Sequence, residues 1–387
     1  MFDSHYEQAN FPRIREDWLG RVNEVAIEPD LPIVDPHHHL WDVETAFYHA
    51  PELVVDVTAG HRVLATVFVE CKAHFDMTGP AHLASVGETR FAVAQAHLAM
   101  ALRHASPAAI AGSPRGGTVP MHTKTAVATA EDMAQPRLVG GIVAYGDIDV
   151  ADPHAVLEAH IDAGDGRLRG VRVRAAWHGD AAFAAPADGP SAATITSPAL
   201  DRYCAILTEM GLTLDLWVYH TQLDDAAALA RRHPRLTIIL NHCGGPLGIG
   251  PYAEQHDAVF AAWSASLANV AKQDNVVVKI GGLAMPRTGM SFAHRAMPAT
   301  ARELVARWSP YVETCIALFG PTRAMFESNF PVDKGSCSYV SLWNAFKLLT
   351  AAHPAADRHA LLCGTADRVY RLGLVDMRAS AATPYAA

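Results

Sequence analysis

The residues best suited to chemistry form the run Asp35-Pro36-His37-His38-His39. Side chains alternate across a strand, so His37 and His39 share one face and His38 points to the other. Two imidazoles two residues apart can share a divalent ion or hold a substrate carbonyl, because histidine is neutral and basic near pH 7. Read alone, the run also fits a solvated turn. Two further segments carry the same residue type, Tyr219-His220 and Asn241-His242-Cys243-Gly244-Gly245-Pro246. One buried histidine is usually a satisfied core group. Histidines at the ends of three apolar runs point to a shared site.

Such a site needs elements that bring distant segments together. Eight short apolar runs fill that need: Leu31–Leu40, Val63–Glu70, Leu138–Ile148, Leu168–Trp177, Leu212–His220, Leu236–His242, Val276–Leu283 and Arg323–Val332. Most stop at Gly, Pro, His, Asn or Asp, as buried parallel strands do. Helical patterns lie between them, at Pro153–Ala163, Ser197–Met210, Asp224–Arg232, Tyr252–Ala271, Thr300–Phe319, Ser341–Ala352 and Ala356–Leu372. Asp152 before Pro153 reads as an N-cap followed by proline in the first turn, and Ser197-Pro198 repeats that start. The alternation predicts an α/β chain, a (β/α)8 TIM barrel with insertions over its C-terminal mouth. A doubly wound sheet is the alternative. The expected division is an extension at 1–30, one barrel at 31–372 and a tail at 373–387.

A typical barrel takes about 250 residues, and this chain has 387. Three segments read as insertions by composition: Ala105–Ala134, Gly179–Thr196 and Ala284–Ala299. The last two follow strands four and seven, so they are expected to line the substrate pocket.

Half the residues are hydrophobic and 18% are charged, which excludes a disordered chain. The net charge of −9 argues against a dedicated nucleic-acid binder. It leaves small anionic substrates open, since a local Arg or His cluster overrides net charge. The six cysteines form no CxxC pair, so neither a zinc ribbon nor a redox motif is expected. No secretory h-region and no long apolar span is read, so a cytoplasmic protein without membrane partners is expected. The Gly pairs lack both the GxGxxG spacing and a P-loop lysine, and no GxSxG elbow occurs. Apolar content suits a homodimer. Arg172 and Arg174 lie near the end of strand four, one expected to face the barrel and the other the helices. An inward arginine would suit a bidentate carboxylate contact. Lys279 and Glu70 are ambiguous in the same way. Arg287 and His294 in the third insertion, with Trp41 and Tyr219, could line a pocket for a ring-shaped substrate.

The segments DPHHHLWD, LNHCGGP and FESNFPVD resemble the amidohydrolase superfamily, and more narrowly its amidohydrolase-2 branch of lactonase-like hydrolases. The resemblance covers roughly residues 31–372. It implies His37, His39 and His220 as holders of a metal or of the substrate carbonyl, and His242 as the catalytic histidine. The implied cofactor is a divalent metal, zinc first, with a metal-free mechanism as the alternative. The chain departs from the family at strand eight. The usual motif there resembles GSDxP, and here Asn329 stands at the aspartate position. An amide can hydrogen-bond or ligate weakly, but it cannot take a proton from water. Glu327 or Asp333 could replace that carboxylate. A barrel-interior Glu327 is costly unless paired, metal-bound or protonated, which favours it as base or ligand. A structural pairing of Glu327 with Lys279 or an arginine is the other reading.

Three functions follow. The first is hydrolysis of a lactone or related ester of a small carboxylic or sugar acid by an activated water, with Arg172, Arg174, Tyr219, Asn329 and Arg287 as substrate-binding candidates. The second is nonoxidative, metal-dependent decarboxylation or hydration of an aromatic or unsaturated acid. The third is a non-catalytic ligand-binding barrel that kept the histidines and lost the base.

Overall fold

A computed structural model describes residues 13–44, 46–102, 136–183 and 189–374. Eight strands form one sheet in sequential order, and every pairing in it is parallel. They are β1 (Ile33–His38), β2 (Val63–Val69), β3 (Arg137–Tyr145), β4 (Leu168–Arg174), β5 (Thr213–Trp217), β6 (Ile238–Leu240), β7 (Val276–Ile280) and β8 (Ala324–Phe326). The barrel closes where the chain beyond β8 meets β1. There the His39 amide donates to the Phe330 carbonyl at 2.7 Å and the Asn329 amide to the His37 carbonyl at 2.9 Å. The TIM barrel expected from the alternation is therefore the architecture, and the doubly wound alternative falls.

Helices α1 (Ala50–Val57), α2 (Val86–Leu102), α3 (Pro153–Ala163), α4 (Pro198–Glu209), α5 (Leu223–Arg232), α6 (His256–Ala271), α7 (Ala301–Phe319) and α8 (Tyr339–Leu349) follow the strands. Their starts obey local chemistry. Asp152 accepts from the Ala155 amide, Ser197 from Leu200 and Thr300 from Glu303, each satisfying an amide that has no partner within its helix. The sequence pattern passed over α1 and α2. The last helical segment, expected to be continuous from Ala356 to Leu372, instead holds a π-helical turn at Ala360–Gly364 and ends at Val369.

Two apolar layers divide the strand residues by alternation. Ile33, Phe68, Ile238, Leu240, Val276, Val278 and Phe326 pack with the helices. Their neighbours Val34, Val67, Val69, Ile239, Val277 and Met325 pack with one another and with Val369, Tyr370 and Leu372. The second set fills the barrel interior as side-chain layers do in this architecture, and the C-terminal segment plugs one end. By the same alternation Arg172, Asp215 and Lys279 face inward.

Strand eight is shorter than expected. Instead of running to Val332, the chain leaves the sheet after Phe326, Asn329 takes a left-handed conformation (φ 53°) and Pro331 follows. A left-handed residue ends a ladder, and proline has no amide with which to continue it. The N-terminal extension docks on the barrel: Trp18 is buried, and its indole nitrogen donates to the Arg295 and Ala296 carbonyls at 3.1 Å. The Ala105–Ala134 insertion lies outside the described residues, as do 184–188 of the second insertion and 375–387 of the tail.

Candidate active site

The upper interior of the barrel holds two buried ion-pair groups, around Glu70 and around Asp215. Arg172 Nε donates to Glu70 Oε1 at 2.6 Å, and Arg174 Nε to the same oxygen at 2.7 Å. Both arginines thus turn to the same side, which corrects the expectation that they face opposite ways. Residues two apart on a strand share a face. Two guanidinium groups hold Glu70 at about 2, overcoming a burial that would raise it. Lys279 Nζ donates to Asp215 Oδ1 at 2.6 Å. Asn241 Nδ2 at 2.9 Å and the Tyr370 hydroxyl at 3.0 Å also donate to that aspartate. Fully buried ion pairs survive only when their remaining valences are filled in this way.

At the centre stands Glu327. Its Oε1 lies 2.6 Å from His242 Nδ1 and accepts the His242 amide at 3.1 Å, and its Oε2 lies 2.6 Å from His37 Nδ1. All three residues are buried. The pairing of Glu327 with Lys279 or an arginine, held open from sequence, is not what the structure shows: Lys279 takes Asp215, and Glu327 takes two histidines. Burial pushes the Glu327 carboxyl up to about 8, against the opposing pull of Lys279. The same cause, desolvation, drives His37, His39 and His242 well below the ordinary imidazole value.

His37 Nε2 is 3.2 Å from His39 Nε2 and 3.3 Å from an Arg172 nitrogen. His39 Nδ1 donates to the Val69 carbonyl at 2.7 Å, which leaves its Nε2 as the acceptor. His38 points away, with Nε2 2.9 Å from Thr66 Oγ1. These contacts depend on an unusual backbone. His242, Cys243, Gly244 and Gly245 are four consecutive left-handed residues, with φ of 53°, 54°, 71° and 63°. That run turns the His242 ring back toward Glu327. The ring lies so close to Gly282 that a Cβ there would sit 2.5 Å from His242 Nδ1.

One atom of this cluster stands out. Glu327 Oε2 is fully buried and has no hydrogen-bond partner, although His37 Nδ1 is 2.6 Å away. The two atoms are close, but their geometry is not that of a hydrogen bond. Ligand atoms of His37, His242 and Glu327 all lie within 4.8 Å of one another. Two imidazoles and a carboxylate are a donor set that a zinc-like divalent ion accepts, and the unsatisfied oxygen fits it.

The gathered trio differs from the expected one. His39 touches His37 but lies outside the group, and His220 stands apart. His220 begins a short 3₁₀ turn beyond β5; its Nδ1 accepts from the Leu247 amide at 3.4 Å and its ring packs edge-on against Tyr252. Burial lowers it to about 4. Asp333 does not reach Glu327's partners: Oδ1 accepts from Asn329 Nδ2 at 2.9 Å and Oδ2 from the Ala284 amide at 3.3 Å. Burial lifts Asp333 to about 8 as well. Asn329 therefore binds the neighbouring carboxyl. Arg287 reaches across the mouth to the Tyr219 hydroxyl, so two expected substrate-binding residues do meet. Asp215 and Tyr370 were missed. A lone acid inside the apolar run LTLDLW is the signal that could have flagged Asp215.

Comparison with known proteins agrees with this architecture. The amidohydrolase-2 family pattern, described as amidohydrolase, matches residues 34–372. A Sinorhizobium fredii protein, y4mH, is 31% identical over 349 residues, covering 89% of this chain and 99% of its own. An L-fucono-1,5-lactonase from Burkholderia multivorans is 30% identical over 164 residues, 41% of this chain and 51% of its own. Among solved structures, a Burkholderia multivorans amidohydrolase with bound zinc superposes with a TM-score of 0.58 at 21% identity, covering 88% of this chain and 99% of its own. That likeness concerns the fold. Matched by the family pattern over most of its length, the chain belongs to the amidohydrolase family and is an enzyme of that type.

Proposed function

We propose that the protein opens a lactone or related ester of a small carboxylic or sugar acid by attack of a water activated at Glu327. The observation that carries this reading is a fully buried carboxyl, raised to about 8, held between His37 and His242. A carboxyl tuned toward neutral pH can exchange a proton with water at little cost. Glu327 takes the water proton while the water oxygen forms the new bond to the carbonyl carbon. The ring C–O bond breaks, and the leaving alkoxide takes a proton from His242 through its Nε2. The 2.6 Å contact lets Glu327 pass the water's proton to His242 Nδ1, and exchange with solvent, which returns a proton to Nε2 and removes the one at Nδ1, restores the starting tautomer with one water consumed. His37 and His39 face the carbonyl oxygen in this reading, and Arg172 and Arg174, fixed by Glu70, set the positive field around it. Arg287 and Tyr219 supply polar contacts at the mouth. Were a zinc ion held by His37, His242 and Glu327, it would supply Lewis acidity toward the carbonyl in place of the proton exchange between Glu327 and His242. The lactonase relative supports testing L-fucono-1,5-lactone first.

The test is acid release from a panel of sugar lactones, with Glu327→Gln beside the parent. Removing a general base typically costs about 10²–10⁴ in rate, so kcat is expected to fall about a thousandfold with the circular dichroism unchanged. Undiminished turnover by E327Q would remove Glu327 from the chemistry. Carbon dioxide release from an aromatic acid, with no lactone opened, would replace this reading by decarboxylation.

A further inference from the structure

A second cluster of metal-ligating side chains lies on the same rim, outside the site described above. It comprises Asp42 in the loop after β1, His49 at the start of α1 and His74 in the loop after β2. Their ligand atoms all lie within 4.8 Å of one another. Asp42 Oδ2 is 2.9 Å from His74 Nε2, and Asp42 Oδ1 abuts His49 Nε2. We propose that Asp42, His49 and His74 form a divalent metal site that ties the β1 loop to the β2 loop, the preferred ion being zinc or a zinc-like transition ion.

Four observations carry this. First, His49 Nε2 is buried and has no hydrogen-bond partner despite the carboxylate against it. The same mismatch marks Glu327 Oε2 at the centre. Asp42 faces both rings, one carboxylate oxygen to each, and a divalent ion would enter such a cluster by displacing a ring proton. Second, the donor set selects the ion. Two imidazoles and one carboxylate favour zinc-like ions over magnesium or calcium, which prefer oxygen ligands.

Third, the loops are built to hold these rings in place. The Trp41 amide donates to the Tyr48 carbonyl at 2.9 Å and the Tyr48 amide to the Trp41 carbonyl at 3.1 Å, a bridge that brings Asp42 back beside His49. On the other loop, Lys72 and His74 are left-handed (φ 61° and 55°), and the Ala73 amide between them donates to Glu88 at 2.9 Å. Gly87 lets that loop lie against α2, for a Cβ there would come within 2.5 Å of the His74 carbonyl oxygen. Fourth, Phe91 stacks on His74 with centroids 3.7 Å apart and tilts against His49 at 5.1 Å. An apolar wall thus covers one side of the cluster. The other side is open, since Asp42 and His74 keep access to water. Water can complete the coordination there. The rim site touches the centre through Trp41, whose ring stacks on His39 at 5.5 Å.

The proposal stands apart from the reading of Glu327 as a base, and its test reads metal rather than turnover. The full-length protein, stripped with chelator, is titrated with cobalt(II). Bound metal is counted by elemental analysis, and visible absorption reports imidazole ligation. Asp42→Asn and His74→Ala are each expected to bind one ion fewer per chain than the parent, or to bind that ion at least about tenfold more weakly. Glu327→Gln is expected to keep the rim ion. Zinc should raise the Tm of E327Q but not that of an E327Q/D42N double variant. Equal stoichiometry and affinity in the parent, D42N and H74A would overturn the proposal. D42N changes one oxygen to nitrogen on an exposed side chain, so folding is not at stake if H74A proves unstable.

Discussion

Two clusters of two histidines and one carboxylate share one rim of this barrel, and water reaches them very differently. His37, His242 and Glu327 are buried at 3% exposure or less. Around Asp42 and His74 the side chains keep 46% and 31% of their exposure. At the centre, desolvation works on every member: it raises the carboxyl to about 8 and drives both imidazoles down. At the rim, His49 is lowered by its own burial, and Asp42 pulls it back up. The centre is thereby suited to moving protons near neutral pH, and the rim to holding an ion between two loops. Donor identity alone does not separate these roles. The dielectric around the donors does.

Perturbing each region should give effects of very different size. The largest after E327Q is expected from Gly282→Ala. A Cβ at a left-handed position (φ 64°), 2.5 Å from His242 Nδ1, must push the ring off Glu327. Lactone turnover should fall about a hundredfold, with a loss of about 2 kcal/mol in urea unfolding. An unchanged kcat would show that the His242–Glu327 contact is not needed.

Next in size is a pH effect on the metal-free protein. Glu327 binds its proton more tightly when folded, near 8, than the ordinary value of 4.5. Its favourable contribution is therefore complete below about pH 4.5 and is lost as pH rises through 8. Asp333 adds a loss of the same sign. The buried histidines, lowered in the fold, add stability over the same rise in pH, so the effect is read as a difference: from pH 5 to 8 the parent should lose about 2 kcal/mol of unfolding free energy relative to E327Q. Identical pH profiles for the two proteins would mean that water reaches the centre as it reaches the rim.

The smallest effect is reserved for the rim. D42N should change lactone turnover by less than about threefold, since exposed charges contribute little. A loss as large as that of G282A would erase the distinction between the two clusters.

Much of this was legible in the residues, for a definite reason. Strand and helix periods are local, so eight apolar runs, the capping Asp152 and Ser197, and the shared face of His37 and His39 could be read within a few residues. Errors arose where that local rule was misapplied or ceased to hold. Arg172 and Arg174 obey period two and turn together onto Glu70. Beyond Phe326 no strand period exists, and the positions of Asn329 and Asp333 follow from a turn instead.

By itself, then, the sequence determined the eightfold strand–helix alternation and placed His37, His39, His242 and Glu327 at or just beyond strand ends. Only the tertiary structure decided which of these residues meet. His220 swings toward Tyr252, His242 is turned back by four left-handed residues, and Asp42, His49 and His74 converge from separate loops. Such meetings depend on barrel closure and on loop backbones held by distant partners, and no short-range pattern of side chains encodes either.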